Sequence, residues 1–287
     1  MTITAKVVAA SVTDAGCPPI YSIEARYPRF IHAEVMTHRV FGRNASSSRA
    51  VPVKKMIEDV LADPAMPVRW GKNQPGMQDA GDHDAKINLD FSPPMTAEEA
   101  WLYARDAAVE YAKGFAEAGY HKQIVNRLLE PFSHITVIIT ATEWKNFFDL
   151  RCHEAADPTM RTLAETIRHA MASFEPEYVG RGGWHLPYVS RADHVAVRER
   201  GYTDADQRHK AMRLISAARC ARVSYLNHDG SQPDIEKDLE LASRLLADKH
   251  MSPFEHQASP DHEKTGTHLW GNLSRWYQSR KLLEVNL

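Results

Sequence analysis

Residues 20–33 alternate. Tyr21, Ile23, Ala25 and Tyr27 fall on one side of an extended chain, and Ser22, Glu24 and Arg26 on the other, which predicts a half-buried strand. Periodicity is lost between 63 and 94, where Pro64, Pro67, Gly71, Pro75, Gly76, Gly81, Pro93 and Pro94 predict a long irregular excursion. Helical spacing begins again at Thr96, which has a capping-box partner in Glu99. It continues through Ala100, Ala104, Ala107, Tyr111 and Phe115 to a stop at Gly119. A further helix is predicted over 121–130. "HITVII", residues 134–139, is a short β-branched strand. After it, Thr140 and Glu143 read as the cap of a helix carrying Trp144, Phe147, Phe148 and Arg151. Met160, Leu163, Ala164, Ile167, Met171 and Phe174 give one more amphipathic helix. The stretch from Pro176 to Gln207 is rich in Gly, Pro and Arg and reads as a connector. Helices are predicted over 208–226 and 234–249, the second opened by Pro233. In the closing "HLWGNLSRWYQSRKLL" aromatic and basic residues interleave. That pattern fits a nucleic-acid or partner contact, but better an amphipathic helix over the core or at a subunit interface.

Composition narrows the function. With 287 residues, 43% hydrophobic and 25% charged, the chain has ordinary globular proportions and enough length for a substantial core. A net charge of −2 offers no general cationic field, so polymeric nucleic acid is not the expected partner and any basic site is local. Cys17, Cys152 and Cys220 form no CxxC pair and leave one thiol over, which predicts reduced cysteines. No apolar run approaches the ~20 residues of a membrane span, and the expectation is a cytoplasmic protein with no membrane partner. The histidines of "HMSPFEHQASPDHEKTGTH" match no recognised ligand spacing, so no metal is expected.

The candidate chemistry lies in "EVMTHRVFGRNASSSRAVP", Glu34 to Pro52. His38, Arg39, Arg43 and Arg49 are interleaved with Ser46, Ser47 and Ser48, and few apolar residues follow Phe41. Guanidinium forks and hydroxyls at this density suit an anion, while a solvated basic turn is the plain alternative. "THRVFGRNASSSR" resembles the signature of flavin-dependent thymidylate synthases, an Arg-His-Arg followed by Ser-x-Arg. His38, Arg39, Ser47 and Arg49 match it, and Thr37 and Gly42 depart from it. "NRLLEPFSHITVIITATEWKNFFDLR" is similar to the family's Arg-x-x-x-Pro, strand and Phe-containing helix, which brings in Arg127 and Arg151. "AARCARVSYLNHDG" with "HMSPFEH" resembles its Ala-Arg-Val-Ser and Ser-Pro-Phe-Glu-His pair, giving Ser224 and His256.

In the family the Ser-Pro-Phe-Glu-His block precedes the Arg-His-Arg block, whereas here it comes near the C-terminus, so the resemblance implies a circular permutation. The expected fold is α+β: one flavin-dependent thymidylate synthase-like domain over 1–287, a mixed sheet with flanking helices, circularly permuted. Residues 19–175 and 208–258 carry the resemblance, 176–207 form the connector and 259–287 a C-terminal extension.

The resemblance implies an enzyme that uses FAD, with NADPH and methylenetetrahydrofolate as co-substrates, to transfer a one-carbon unit to C5 of dUMP and yield dTMP. It also implies a homotetramer with sites shared between subunits. Ser47, Arg49 and Arg127 would hold the phosphate, and Arg151 would act catalytically at the pyrimidine ring. His38, Arg39, Asn146, Ser224 and His256 would contact the flavin. Glu34 stands where the family commonly carries a glutamine lining the nucleotide site. A carboxylate only accepts hydrogen bonds, and cytosine presents an amine where uracil has a carbonyl, so Glu34 opens dCMP as an alternative substrate. C5 hydroxymethylation, or a non-catalytic nucleotide-binding homologue, are the other readings.

Overall fold

The computed structural model describes residues 2–223, 232–264 and 266–285. Its strands are β1 (Thr4–Val12), β2 (Ile20–Pro28), β3 (Gly42–Ala45), β4 (Ile87–Leu89), β5 (Ser92–Met95), β6 (His134–Ala141), β7 (Glu177–Tyr178), β8 (Ala258–Pro260) and β9 (Trp276–Gln278). Its helices are α1 (His32–Val35), α2 (Val53–Ala62), α3 (Ala97–Glu117), α4 (Lys122–Val125), α5 (Lys145–Arg151), α6 (Pro158–Ala172), α7 (Arg191–Glu199), α8 (Ala205–Arg222), α9 (Ile235–Ala247) and α10 (Ser279–Glu284), with short 3-10 turns between them.

The central sheet has the order β3-β6-β2-β1-β7. Its internal pairs are antiparallel and β7 joins β1 in parallel, so the fold is α+β around a mixed sheet. Period-two alternation divides the side chains of the sheet. Ile23, Ala25 and Tyr27 of β2 and Ile135, Val137, Ile139 and Ala141 of β6 face α5 and α6, where Phe147, Met160, Leu163 and Ile167 close the main core. Each such fully buried side chain is worth roughly 1.5–3 kcal/mol of transfer free energy.

The opposite face carries Ser22, Glu24 and Thr140, and it is covered too. Ile138 packs there against Tyr188, Cys220 and Val223, under α8 and the segment leading into α7. The Tyr188 hydroxyl donates to Glu24 Oε2 at 2.7 Å. Ser22 and Thr140 on this face are fully buried, so their hydroxyls bond to one another. Arg219 locks the covering layer: its guanidinium pairs twice with Asp193 of α7 and once with Asp238 of α9, all at 2.8 Å.

Several expectations hold, among them the Thr96–Glu99 capping box, the strand at 134 and the amphipathic α6. Others are corrected. The strand starting at Ile20 ends at Pro28, because residues 29–35 turn helical. Thr140 does not cap α5. It lies inside β6, and Trp144 takes the N-cap position without a side-chain bond. The 176–207 stretch is not a bare connector, since it contributes β7 and the Ser190/Asp193-capped α7. In place of the amphipathic helix expected at the C-terminus, Trp276–Gln278 form β9 against β8, and only the six-residue α10 follows. On α3 the buried residues are Val109 and Ala112. Tyr111 is 68% exposed, because α3 packs on α2 through a face rotated from the expected stripe.

Candidate active site

The first half of the Glu34–Pro52 segment is a helical turn folded back on itself. The Arg43 guanidinium donates to the carbonyls of Val35, Met36 and His38 at 3.0–3.2 Å, satisfying the open end of α1 and fixing the loop that carries Thr37, His38 and Arg39. Arg43 is thus a scaffold residue of the loop. Apolar spacing in α5 fills the space beneath: Phe147 stands edge-on to the His38 ring at 4.9 Å, and Phe41 packs between His38 and Trp144.

Arg151, at the end of α5, donates from Nε to His38 Nε2 at 3.0 Å, and its Nη2 reaches the Thr37 hydroxyl at 3.4 Å. The imidazole is therefore the acceptor and carries its own proton on Nδ1. Burial, then the Arg151 and Arg43 charges, pull the His38 pKa down to about 4, so the ring is neutral near pH 7. Glu34, half-buried on α1, belongs to the same group. Burial and the Asp157 carboxylate raise its pKa while the Arg151 charge opposes them. The structure therefore brings His38 and Arg151 into contact and places Glu34 within electrostatic range of Arg151.

Ser47, Arg49 and Arg127 form a second group at the far end of β3. Arg49 lies in the turn Ser48–Ala50 and Arg127 in the turn Asn126–Leu128. Asn126, between them, donates from Nδ2 to the carbonyls of Ser48 and Val51 at 2.7 and 2.9 Å, and the Ser48 hydroxyl donates to Glu130 at 2.6 Å. Buried Asn126 and Ser48 thus fix two exposed arginines and the exposed Ser47 on adjacent turns. The four residues of β3, roughly 13 Å of strand, separate this pair from Arg151.

Arg39 opens into a third feature, a cleft of about 340 Å³ lined also by Phe41, Arg43, Asn272, Arg280 and Lys281. The side chains from the C-terminal segment were not assigned by sequence reasoning, although the interleaved "NLSRWYQSRK" was the signal for them. Asn272 donates to the Val40 carbonyl at 2.8 Å, which ties that segment to the His38 loop. A β-carbon at Gly42 would make only ordinary van der Waals contacts, at 3.5–3.7 Å, with Asn272, the Thr140 carbonyl and Glu255, so the C-terminal segments close over β3 without requiring glycine here.

His256 follows the Ser252–Glu255 turn, which packs on β3, and its Nδ1 lies 2.8 Å from the Thr140 hydroxyl on β6. The ring is fully buried and its Nε2 meets no partner. Asn146 is exposed on α5. Ser224 lies outside the described residues. Among the described residues no group of three or more His, Cys, Asp or Glu side chains could hold a metal ion. Nor is any helix among them long and apolar enough to cross a membrane.

Residues 19–177 match the model of the thymidylate synthase complementing protein family. The chain belongs to this family. Membership makes it a flavin-dependent, thymidylate synthase-like methyltransferase acting at C5 of a pyrimidine nucleotide. The match spans the Glu34–Pro52 segment, β6 and α5, and stops short of 208–258. Among solved structures, the chain is similar to the UMP/dUMP methylase PolB from Streptomyces cacaoi bound with 5-Br dUMP. Identity there is 15%, over 60% of this chain and 90% of that one, at a TM-score of 0.45. The same methylase bound with 5-Br UMP gives 16% identity, 60% and 89% coverage, and a TM-score of 0.42. No curated protein matches the chain.

Proposed function

We propose that this thymidylate synthase-family enzyme converts dUMP to dTMP, taking the one-carbon unit from methylenetetrahydrofolate, with FAD as cofactor and NADPH as reductant. The observation that carries the reading is the Arg151–His38 hydrogen bond, because it joins the residue expected at the pyrimidine to one expected at the flavin.

The residues present fit FAD. Arg39, Arg43, Arg280, Lys281 and Glu255 line the cleft beside the His38 loop; Glu255 and Glu284 pair with Arg280, Glu284 with Lys281, and three carbonyls hold Arg43, so Arg39 is the cation there suited to a pyrophosphate, and the buried His256 Nε2 lacks a partner. His38, Arg39, Asn146 and His256 would hold the cofactor, and Ser224 is assigned to it from the sequence. When bound, reduced FAD supplies the hydride that turns the transferred carbon into a methyl group. The chain's own residues do the rest. Ser47, Arg49 and Arg127 bind the phosphate. Arg151 holds a fixed positive charge where the base becomes electron-rich, and neutral His38 keeps that guanidinium oriented.

The phosphate group and Arg151 sit at opposite ends of β3, an arrangement that suits a homotetramer in which each site draws on more than one copy. The Ser252–Glu255 turn against β3 supports a circularly permuted family domain spanning 1–287, with 176–207 bridging the former ends. A second reading, C5 methylation or hydroxymethylation of dCMP, is favoured by the placement of Glu34 beside Arg151.

Purified protein tests the main reading through the visible absorption of bound flavin and through flavin-dependent turnover of dUMP with methylenetetrahydrofolate and NADPH. A colourless preparation that takes up no added FAD overturns it.

A further inference from the structure

Across the covered face of the sheet runs an unbroken line of side chains. Ser11 Oγ lies 2.9 Å from His185 Nδ1, His185 Nε2 lies 2.9 Å from Ser22 Oγ, Ser22 Oγ lies 2.5 Å from Thr140 Oγ1, and Thr140 Oγ1 lies 2.8 Å from His256 Nδ1. All five residues are buried. They come from β1, the 176–207 stretch, β2, β6 and the turn before β8, so no sequence motif contains them. One end, Ser11, borders a cavity of about 330 Å³ shared with Glu177, His194 and His209. The other end is the unpartnered His256 Nε2.

The proton count makes this line directional. Each hydroxyl has one proton and each neutral imidazole one, and each of the four contacts needs one proton. Both rings are neutral, since burial holds each pKa down at about 3. Only two arrangements satisfy every contact and leave neither Ser22 nor Thr140 with an idle proton. Either every donor points from Ser11 toward His256, or every donor points back. In the first, His185 and His256 both carry the proton on Nε2, the position that free imidazole favours. In the second, both carry it on Nδ1. Turning one member against the others leaves a buried hydroxyl proton without an acceptor, at about 1–3 kcal/mol.

The geometry points to His185 as a positioning residue that, through Ser22 and Thr140, fixes the tautomer of His256. The His256-to-Ser11 direction holds, because the opposite one would bury an Nε2–H without an acceptor whereas this one leaves the spare proton on Ser11 at the cavity, and His256 presents a bare Nε2 acceptor to a donor of its ligand. That ligand is the flavin under the function proposed above, on which this consequence rests; the tautomer lock itself stands apart from it.

Isotope-labelled histidine in the full-length protein, followed by NMR with and without FAD, reports which ring nitrogens are protonated. The wild type is expected to show His256 as the single Nδ1–H tautomer. Ser22→Ala leaves Thr140 with His256 Nδ1 as its remaining acceptor, and the Nε2–H tautomer of His256 should appear. His185→Phe makes the equivalent break should Ser22→Ala not fold. His185→Gln, whose amide can accept from Ser22 and donate to Ser11, should restore the single Nδ1–H tautomer, a rescue that a merely space-filling role would not show. A tautomer mixture in the wild type, or the wild-type tautomer retained in both Ser22→Ala and His185→Phe, overturns the inference. A locked tautomer in a protein that binds no FAD overturns the flavin assignment and leaves the positioning role intact.

Discussion

Arg151 and His38 share one hydrogen bond, Nε to Nε2 over 3.0 Å, and it fixes the protonation of the ring. A guanidinium cannot give up its proton near neutrality, so the imidazole must accept and stay neutral. Removing the charge with Arg151→Ala should raise the His38 pKa from about 4, yet leave it below 6.5, because burial is the larger cause of the shift. NMR titration of the His38 ring reads this directly, and an unmoved pKa would show that the contact has no electrostatic role.

The same shift makes the fold acid-sensitive. The unfolded chain protonates His38 near pH 6.5 and the folded chain near 4, so between those values the unfolded state binds more protons and stability rises with pH. The loss begins as pH falls below 6.5 and is complete below 4, with roughly 3 kcal/mol as the upper bound for this one group. His134, whose pKa burial also draws to about 4, loses stability over the same window. Urea midpoints at pH 7 and pH 5 should differ, and His38→Gln should reduce the difference. An equal difference in His38→Gln would remove His38 from the account.

What could be read from the sequence was the part with local periodicity. Trp144, Phe147, Phe148 and Arg151 recur at helical spacing, and α5 places Phe147 under His38 with Arg151 beside it. Ser22 and Thr140 were assigned to other roles because alternation alone cannot tell a wet polar face from one covered by a second layer. Here α8 and the 176–207 stretch cover it, and the hydroxyls become mutual partners. His185 was hidden for the same reason. Its neighbours Ser11 and Ser22 are 174 and 163 residues away in sequence. The basic residues Arg280 and Lys281 were visible as composition, but their position at the cleft depended on β9 pairing with β8, a contact that local pattern does not encode.

Arg49 and Arg127 should act on affinity. Both are exposed on turns fixed by Asn126, so alanine at either removes a proposed phosphate ligand without opening the core. Each substitution should weaken binding of the nucleotide monophosphate by about 1.5–3 kcal/mol, the worth of a hydrogen bond to a charged group. Calorimetry with dUMP checks this, and circular dichroism should be unchanged. Wild-type affinity in both variants would move the phosphate site elsewhere.

The three thiols should be dispensable for turnover. Burial raises the pKa of Cys17, Cys152 and Cys220, the reverse of what a nucleophile needs. Alanine is the better test residue at Cys220, whose enclosed site would force a serine hydroxyl to find a new partner. Turnover of the triple Cys→Ala variant should remain within a few-fold of wild type, and thiol alkylation at neutral pH should be slow. Abolished turnover in a folded, flavin-containing triple variant would indicate covalent catalysis by a cysteine.

Under the proposed function, Glu34 is the residue expected to bear on base choice. The carboxyl group is half-buried beside Arg151, and burial and Asp157 raise its pKa, so the site holds an acceptor whose charge is only partly compensated. No ion pair to Arg39 or Arg43 holds it among the described residues, and Arg43 is occupied by three carbonyls. A carboxylate within reach of the C4 edge favours the cytosine amine and disfavours the uracil carbonyl, whereas glutamine can serve either. Glu34→Gln should therefore raise the ratio of kcat/KM for dUMP over dCMP by about tenfold, the equivalent of one hydrogen bond of roughly 1.4 kcal/mol. The gain should appear mainly for dUMP, because the amide relieves a repulsion and still accepts from an amine. Measuring flavin-dependent turnover of both nucleotides in wild type and variant decides the question. An unchanged ratio, with wild type already preferring dUMP, would assign the Glu34 carboxylate to charge balance with Arg151 and remove it from substrate selection.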